Sequence, residues 1–143
     1  MEKDVRISIR GTQKSEGEEP QVIELTTDGK LFQGSDGICV SYVESELTGL
    51  EGVVTTFCVE QERIVLRREG ELTSTMVFEE GKKNESLYDM GFGAMLVGVC
   101  AKKVRTAMSE SGGTMFVDYD VEVEHAPVGT NIYEIEVWSA SGT

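Results

Sequence analysis

The feature that most narrows what this chain can become is a two-residue rhythm: apolar side chains recur at every second position through short segments, and almost nowhere at helical spacing. Side chains two apart on an extended backbone point to the same face, so each segment forms a strand with one apolar face, and a succession of them predicts an all-β domain. Val5, Ile7 and Ile9 alternate with Arg6, Ser8 and Arg10. Val22–Thr27 leads to Asp28-Gly29, a dipeptide suited to a two-residue hairpin turn, and the chain resumes at Lys30-Leu31-Phe32. Beyond Gly34-Ser35-Asp36-Gly37, strands are expected over 38–43, 53–60, 63–69 and 72–79. The loop Glu44–Gly52 separates the first two and Gly70 the last two.

The second half keeps the rhythm, with strands expected over 84–89, 94–105, 114–124 and 131–138, a corner at Gly91-Phe92-Gly93 and a turn at Ser111-Gly112-Gly113. Ala101, Val104, Ala107 and Met108 also fit one face of a short helix, but after the apolar run Met95–Val99 a long bent strand is the better reading. No linker or change of composition divides the 143 residues, so one domain over 1–138 is expected, followed by a small polar tail, 139–143, that frays. Antiparallel strands at this spacing build a sandwich or a barrel, and a barrel leaves no open edge.

Charge narrows the partners. With 26 Asp+Glu against 13 Lys+Arg the net charge is −13, and the resulting field repels phosphate backbones, which argues against nucleic acid. No stretch approaches the roughly 20 apolar residues of a spanning helix, and Met-Glu-Lys-Asp-Val-Arg does not open a leader, so a cytoplasmic protein without a membrane partner is expected. Cys39, Cys58 and Cys100 lie in apolar stretches and read as reduced, space-filling thiols. They form no CxxC pattern, and with a single His there is no HxH, so neither a metal nor another cofactor is expected. Asp118, Asp120, Glu122 and Glu124 share one strand face; they read as a solvated ladder opposite Lys102, Lys103 and Arg105, with Val117, Tyr119, Val121 and Val123 turned inward.

Catalytic patterns are lacking. There is no Gly-x-Ser-x-Gly, His125 reads as an exposed turn residue, and the pair Glu44 and Glu46 has no second element of a hydrolytic site, so the chain is expected not to be an enzyme. The informative set is the polar residues on inward faces. Glu44 shares a face with Ile38, Val40 and Tyr42, and Arg68 with Ile64 and Leu66. Ser74 goes with Leu72, Met76 and Phe78, and Thr55 with Val53, Phe57 and Val59, while Tyr88 and Tyr119 supply further hydroxyls. The candidate ligand-binding interior is therefore Tyr42, Glu44, Thr55, Arg68, Ser74, Met76, Tyr88 and Tyr119. An unpaired buried charge is costly, so Glu44 and Arg68 are expected to find each other or a polar ligand, and to behave as a coupled pair. Two functions fit: non-catalytic binding of a small, partly apolar molecule above this polar floor, or a filled barrel, closed by an internal polar network, that acts in interaction or assembly. The sequence carries no signal for oligomeric state.

The choice of barrel over sandwich comes from a resemblance spread over nearly the whole chain. Ile9-Arg10-Gly11-Thr12-Gln13, Ile23-Glu24-Leu25-Thr26-Thr27-Asp28-Gly29, the run from Ser41-Tyr42-Val43-Glu44 through Thr48-Gly49-Leu50-Glu51-Gly52, Met76-Val77-Phe78-Glu79-Glu80-Gly81 and Asp118-Tyr119 are similar to segments of the YwiB-like family of small bacterial proteins of unknown function. The resemblance implies a closed antiparallel, lipocalin-like or calycin-like barrel of about eight strands, and implies no activity. The family pattern carries Thr-Pro where this chain has Met90-Gly91. Loops on a rigid scaffold carry binding residues, so any ligand is expected to enter near Glu44–Gly52 and Met90–Gly93. The acidic exterior favours a neutral ligand or one with a single acidic head group, which Arg68 would accept.

Overall fold

The computed structural model describes residues 2–35, 37–46, 49–89 and 93–140. Ten strands follow one another: β1 (Glu2–Lys14), β2 (Gln21–Gln33), β3 (Ile38–Val43), β4 (Val54–Glu60), β5 (Arg63–Glu69), β6 (Ser74–Glu79), β7 (Lys83–Asp89), β8 (Ala94–Ser109), β9 (Gly112–Val123) and β10 (Ala126–Ser139). They make one antiparallel sheet in the order β6-β5-β4-β3-β2-β1-β10-β9-β8-β7. The sheet curls until its two edge strands meet. Thr73 and Asp89 exchange both backbone hydrogen bonds at 3.0 Å, and the Gly81 amide donates to the Ala101 carbonyl at 2.8 Å. The product is a nearly closed barrel.

Ten strands replace the eight or so that the resemblance implies; the alternating segments become strands, with 22–27 and 30–32 fused into one. The difference has a physical consequence. An eight-stranded barrel is just wide enough for its own side chains to fill it, and diameter grows with strand number, so ten strands leave more interior to fill.

One turn is corrected. Asp28-Gly29 does not close a hairpin but lies within the continuous β2, paired with Arg6 and Val5 of β1. Gly29 serves close approach: a Cβ there would overlap the Ile7 side chain and the Ser41 carbonyl oxygen. From Lys30 onward β2 also pairs with β3, so the glycine sits where a second neighbour is admitted. The long bent strand in place of a helix is observed, and β8 runs from Ala94 to Ser109 with a bulge between Ala101 and Lys103. The Met90-Gly91-Phe92 part of the corner before β8, Leu47 and Thr48 of the loop after Glu44, Asp36, and 141–143 of the tail lie outside the described residues.

Cys39 and Cys58 correct the reading of reduced core thiols. They are opposite each other in the β3–β4 register and joined as a disulfide. Their parity also places them on the outer face of the barrel, in a small cluster with Val65, against which Phe32 and Val77 pack. Apolar neighbours in the sequence do not distinguish the two sides of a sheet whose outer face is locally covered. Cys100 is a free, half-buried thiol.

The main core fills one end of the barrel, where Val5, Ile7, Leu31, Val40, Phe57, Ile64, Leu66, Phe78, Val99, Met115, Val117 and Val137 are buried. The same inward parity continues toward the other end, but there the side chains become Gln13, Gln21, Tyr42, Arg68, Tyr88 and Asn131, and they surround open space.

Candidate binding cavity

The open half of the barrel holds a cavity of about 380 Å³. Strand register explains its polar floor. Tyr42 lies opposite Thr55, Thr55 opposite Arg68, and Arg68 opposite Ser74. The Thr73–Asp89 pair then brings Ser74 across the seam beside Tyr88. Five of the predicted residues thus form a row around one side of the barrel at a single height. Six of the eight, Tyr42, Glu44, Arg68, Met76, Tyr88 and Tyr119, line the cavity itself. Thr55 is fully buried beneath Glu44, and Ser74 is buried in the wall.

Glu44 follows β3, where the loop closes on itself: its amide donates to the Val53 carbonyl at 2.8 Å and the Gly52 amide donates to its carbonyl at 3.1 Å. Its side chain turns in, only 4% exposed, and its carboxylate accepts a hydrogen bond from the Thr55 hydroxyl at 2.6 Å. The Tyr42 hydroxyl is a second partner. Arg68 does not direct its hydrogen bond to Glu44; its Nη2 donates to the Tyr133 hydroxyl at 3.2 Å. The expected direct pair of Glu44 with Arg68 is thereby replaced by two local arrangements that share Thr55 as a neighbour. The reason is geometric, since Arg68 faces Thr55 in register while Glu44 lies beyond Tyr42 toward the mouth.

Tyr133 and Asn131 are the functional candidates that the strand-face reading passed over. Asn131, Tyr133, Ile135 and Val137 share one parity, so the signal was present in the same alternation that placed the other residues. Tyr133 stacks with Tyr119 at 6.0 Å between ring centroids and meets Phe57 edge-on at 5.8 Å. Asn131 Nδ2 donates to the Tyr119 hydroxyl at 3.2 Å. All four tyrosines of the chain therefore line one cavity.

Burial sets the acid–base character of this floor. It pushes the Tyr42 phenol far above its ordinary range, with the negative Glu44 adding to the effect. Tyr88 is raised by burial against the opposing Arg68 charge, and Tyr119 is raised by burial and by Tyr133. Around Arg68, burial opposes the charge, but the Tyr133 hydroxyl accepts its hydrogen bond and the intrinsically basic guanidinium stays protonated. The cavity therefore holds the positive charge of Arg68 and, on the far side of Tyr42 and Thr55, the Glu44 carboxylate, with the phenols of Tyr42, Tyr88 and Tyr119 kept neutral between and beside them. The tyrosines yield a pH prediction. A phenol whose folded pKa is raised stabilises the fold fully below the unfolded value near about 10, and that contribution is lost as pH rises beyond it. Tyr42, Tyr88 and Tyr119 should stay protonated above pH ~10 until alkaline unfolding releases their phenolate absorbance together with the loss of β circular dichroism. Smooth ionisation of these three tyrosines near pH ~10 in folded protein would contradict their burial.

Outside the cavity Glu60 is buried and paired with Arg63 at 2.9 Å, while many of the other charged residues form ion pairs on the surface. Lys102 bridges Asp118 at 3.6 Å and Asp120 at 3.5 Å, as the ladder reading anticipates, whereas Arg105 turns to Glu80 at 2.6 Å. His125 is an exposed turn residue beside Glu85, at 3.6 Å. Glu85, Glu122 and His125 converge there, with the Lys83 ammonium paired to both carboxylates.

Comparison with known proteins agrees with this architecture. A relative from Bacillus subtilis (strain 168), described as "Uncharacterized beta-barrel protein YwiB", is 24% identical over 138 residues, covering 94% of this chain and 95% of its own. The crystal structure of the ywiB protein from Bacillus subtilis superposes with a TM-score of 0.86 at 21% identity, over 97% of this chain and 93% of that one. The likeness of structure establishes the shared barrel fold. The sequence pattern of a family described as a domain of unknown function, DUF1934, matches residues 7–135, and the chain, a β-barrel protein similar to YwiB, belongs to that family.

Proposed function

We propose that this protein is a non-catalytic binding protein that holds a small, partly apolar molecule in the open half of its barrel, a use of the interior like that of lipocalins. The observation that carries the reading is the cavity of about 380 Å³, whose walls are Ile9, Leu25, Val97, Val121 and similar side chains while its floor is polar. Ligand sites combine apolar walls with a few placed polar groups, and this volume lies at the small end of their usual range of about 300–1,000 Å³. The size of the occupant can be bounded. A cavity of about 150 Å³ accommodates benzene, so at the same density this one holds a molecule of about 15 non-hydrogen atoms. Its mouth lies at the end bearing the loop that follows Glu44 and the β7–β8 connection, since Leu50, Tyr88 and Met95 line the cavity.

Titration with a panel of fatty acids, nucleosides and aromatic metabolites, followed by amide chemical shifts, tests the proposal. Saturable shifts at Leu25, Met95 and Val121 are expected for at least one compound, and Leu25→Trp, which fills the cavity from its wall, should abolish them while the dispersed β spectrum remains. Shifts confined to the opposite loops around Gly81 and Gly112, or none that saturate, would favour a barrel that acts through its surface as an interaction or assembly protein.

A further inference from the structure

From the hydrogen-bonding state of the cavity floor we infer that the preferred ligand is a monocarboxylate, its carboxylate held by Arg68 and its apolar body directed along the aliphatic wall. This deepens the reading above and rests on it. The argument is an accounting of donors and acceptors. Glu44 already accepts from Thr55 at 2.6 Å and is partnered by Tyr42, so its needs are met by the protein. The Tyr119 hydroxyl is engaged by Asn131 at 3.2 Å, and the Tyr88 hydroxyl points to the Met76 sulfur at 3.4 Å. Arg68 is different. Nη2 reaches Tyr133 and the guanidinium neighbours the Tyr88 hydroxyl, but Nε is buried and makes no hydrogen bond among the described residues.

A buried guanidinium donor without an acceptor is costly, and burial of a charge demands a counter-charge or a strong acceptor. Ser74, directly across the β5–β6 register, is buried in the wall beside the Tyr88 hydroxyl, which also neighbours Arg68, so neither residue offers Nε an acceptor. Arg68 lines the cavity, and its planar guanidinium fork is the group best suited to the two oxygens of a single carboxylate. A larger anion fits less well: a nucleotide exceeds the bound of about 15 atoms and would bring several charges next to Glu44. A cation would meet Arg68, while the one carboxylate in the cavity, Glu44, is already held by Thr55 and Tyr42. The remaining body must be apolar, since Ile9, Leu25, Val97, Val121 and Val123 form the wall above the floor.

Three probes of one chain length separate head-group recognition from cavity filling: decanoate, decanol and decylamine, each titrated by calorimetry and amide shifts into the wild type, Arg68→Met and Arg68→Lys. Wild type should bind decanoate about tenfold or more tighter than decanol, with decylamine weakest, the difference expected for one charge-assisted hydrogen bond. Arg68→Met should bring decanoate down to the affinity of decanol without weakening decanol. Arg68→Lys, which keeps the charge but not the fork, should fall between them. Circular dichroism and the tyrosine titration described above report whether each variant keeps its fold. Equal affinity of wild type for decanoate and decanol, or an unchanged preference in folded Arg68→Met, overturns the head-group assignment while leaving the cavity as a binding site. Failure of all three probes to saturate wild type overturns both.

Discussion

Phe57→Ala lowers the stability of the barrel by about 3–5 kcal/mol, the cost of removing a fully buried aromatic side chain and leaving a void that neighbours cannot close. Phe57 is 1% exposed, lies between Val40 and Leu66 in register, and supports the edge of the Tyr133 ring. Leu25→Ala is the informative partner, because Leu25 is half-buried on the wall of a space that already exists. Its truncation enlarges a cavity instead of creating one, and should cost under about 2 kcal/mol. Urea denaturation of both variants measures the contrast. Equal losses would mean that the two ends of the barrel are packed alike, which the cavity forbids.

Gly113→Ala is expected to cost at least about 3 kcal/mol, and Gly17→Ala only about 1–2 kcal/mol, although both positions have positive φ. Gly113 has φ +143° and lies in β9, paired on one side with Met108 and on the other with Val137. A Cβ there would overlap the Ala107 carbonyl oxygen, and backbone fixed on both flanks cannot move aside. Gly17, with φ +80°, lies in the exposed β1–β2 turn with nothing within 4 Å of an added Cβ. Thermal unfolding of the two variants separates conformational strain, which both suffer, from steric overlap, which only Gly113 suffers. A Gly113→Ala protein as stable as Gly17→Ala would mean that the β8–β9–β10 pairing is looser than its register indicates.

The expected strands over 38–43 and 63–69 coincide with β3 and β5 because both are bounded by turn residues and alternate without interruption. Asp28-Gly29 misled because turn propensity is a property of the dipeptide, whereas Gly29 answers to Ile7 and Ser41, which approach it from neighbouring strands. The cysteines misled for a related reason. Cys39 lies between Ile38 and Val40, both turned to the interior, and its own parity points it outward onto Cys58, a residue that only the β3–β4 register identifies.

The candidate site divides in the same way. Which side chains face inward follows from a period of two, a local property of the extended backbone, so Tyr42, Thr55, Arg68 and Ser74 could be assigned to one interior from the sequence by itself. Who meets whom is not local. The Arg68 guanidinium is held by Tyr133, 65 positions away, because the sheet closes with ten strands and this register, and no short segment encodes that circumference. The tertiary structure alone decided that the barrel is filled at one end and hollow at the other. The alternation continues from the filled end into the open end, but the closed sheet sets the volume to be filled, and where Phe57, Phe78 and Ile64 give way to Gln13, Gly11 and Asn131 the side chains no longer fill it.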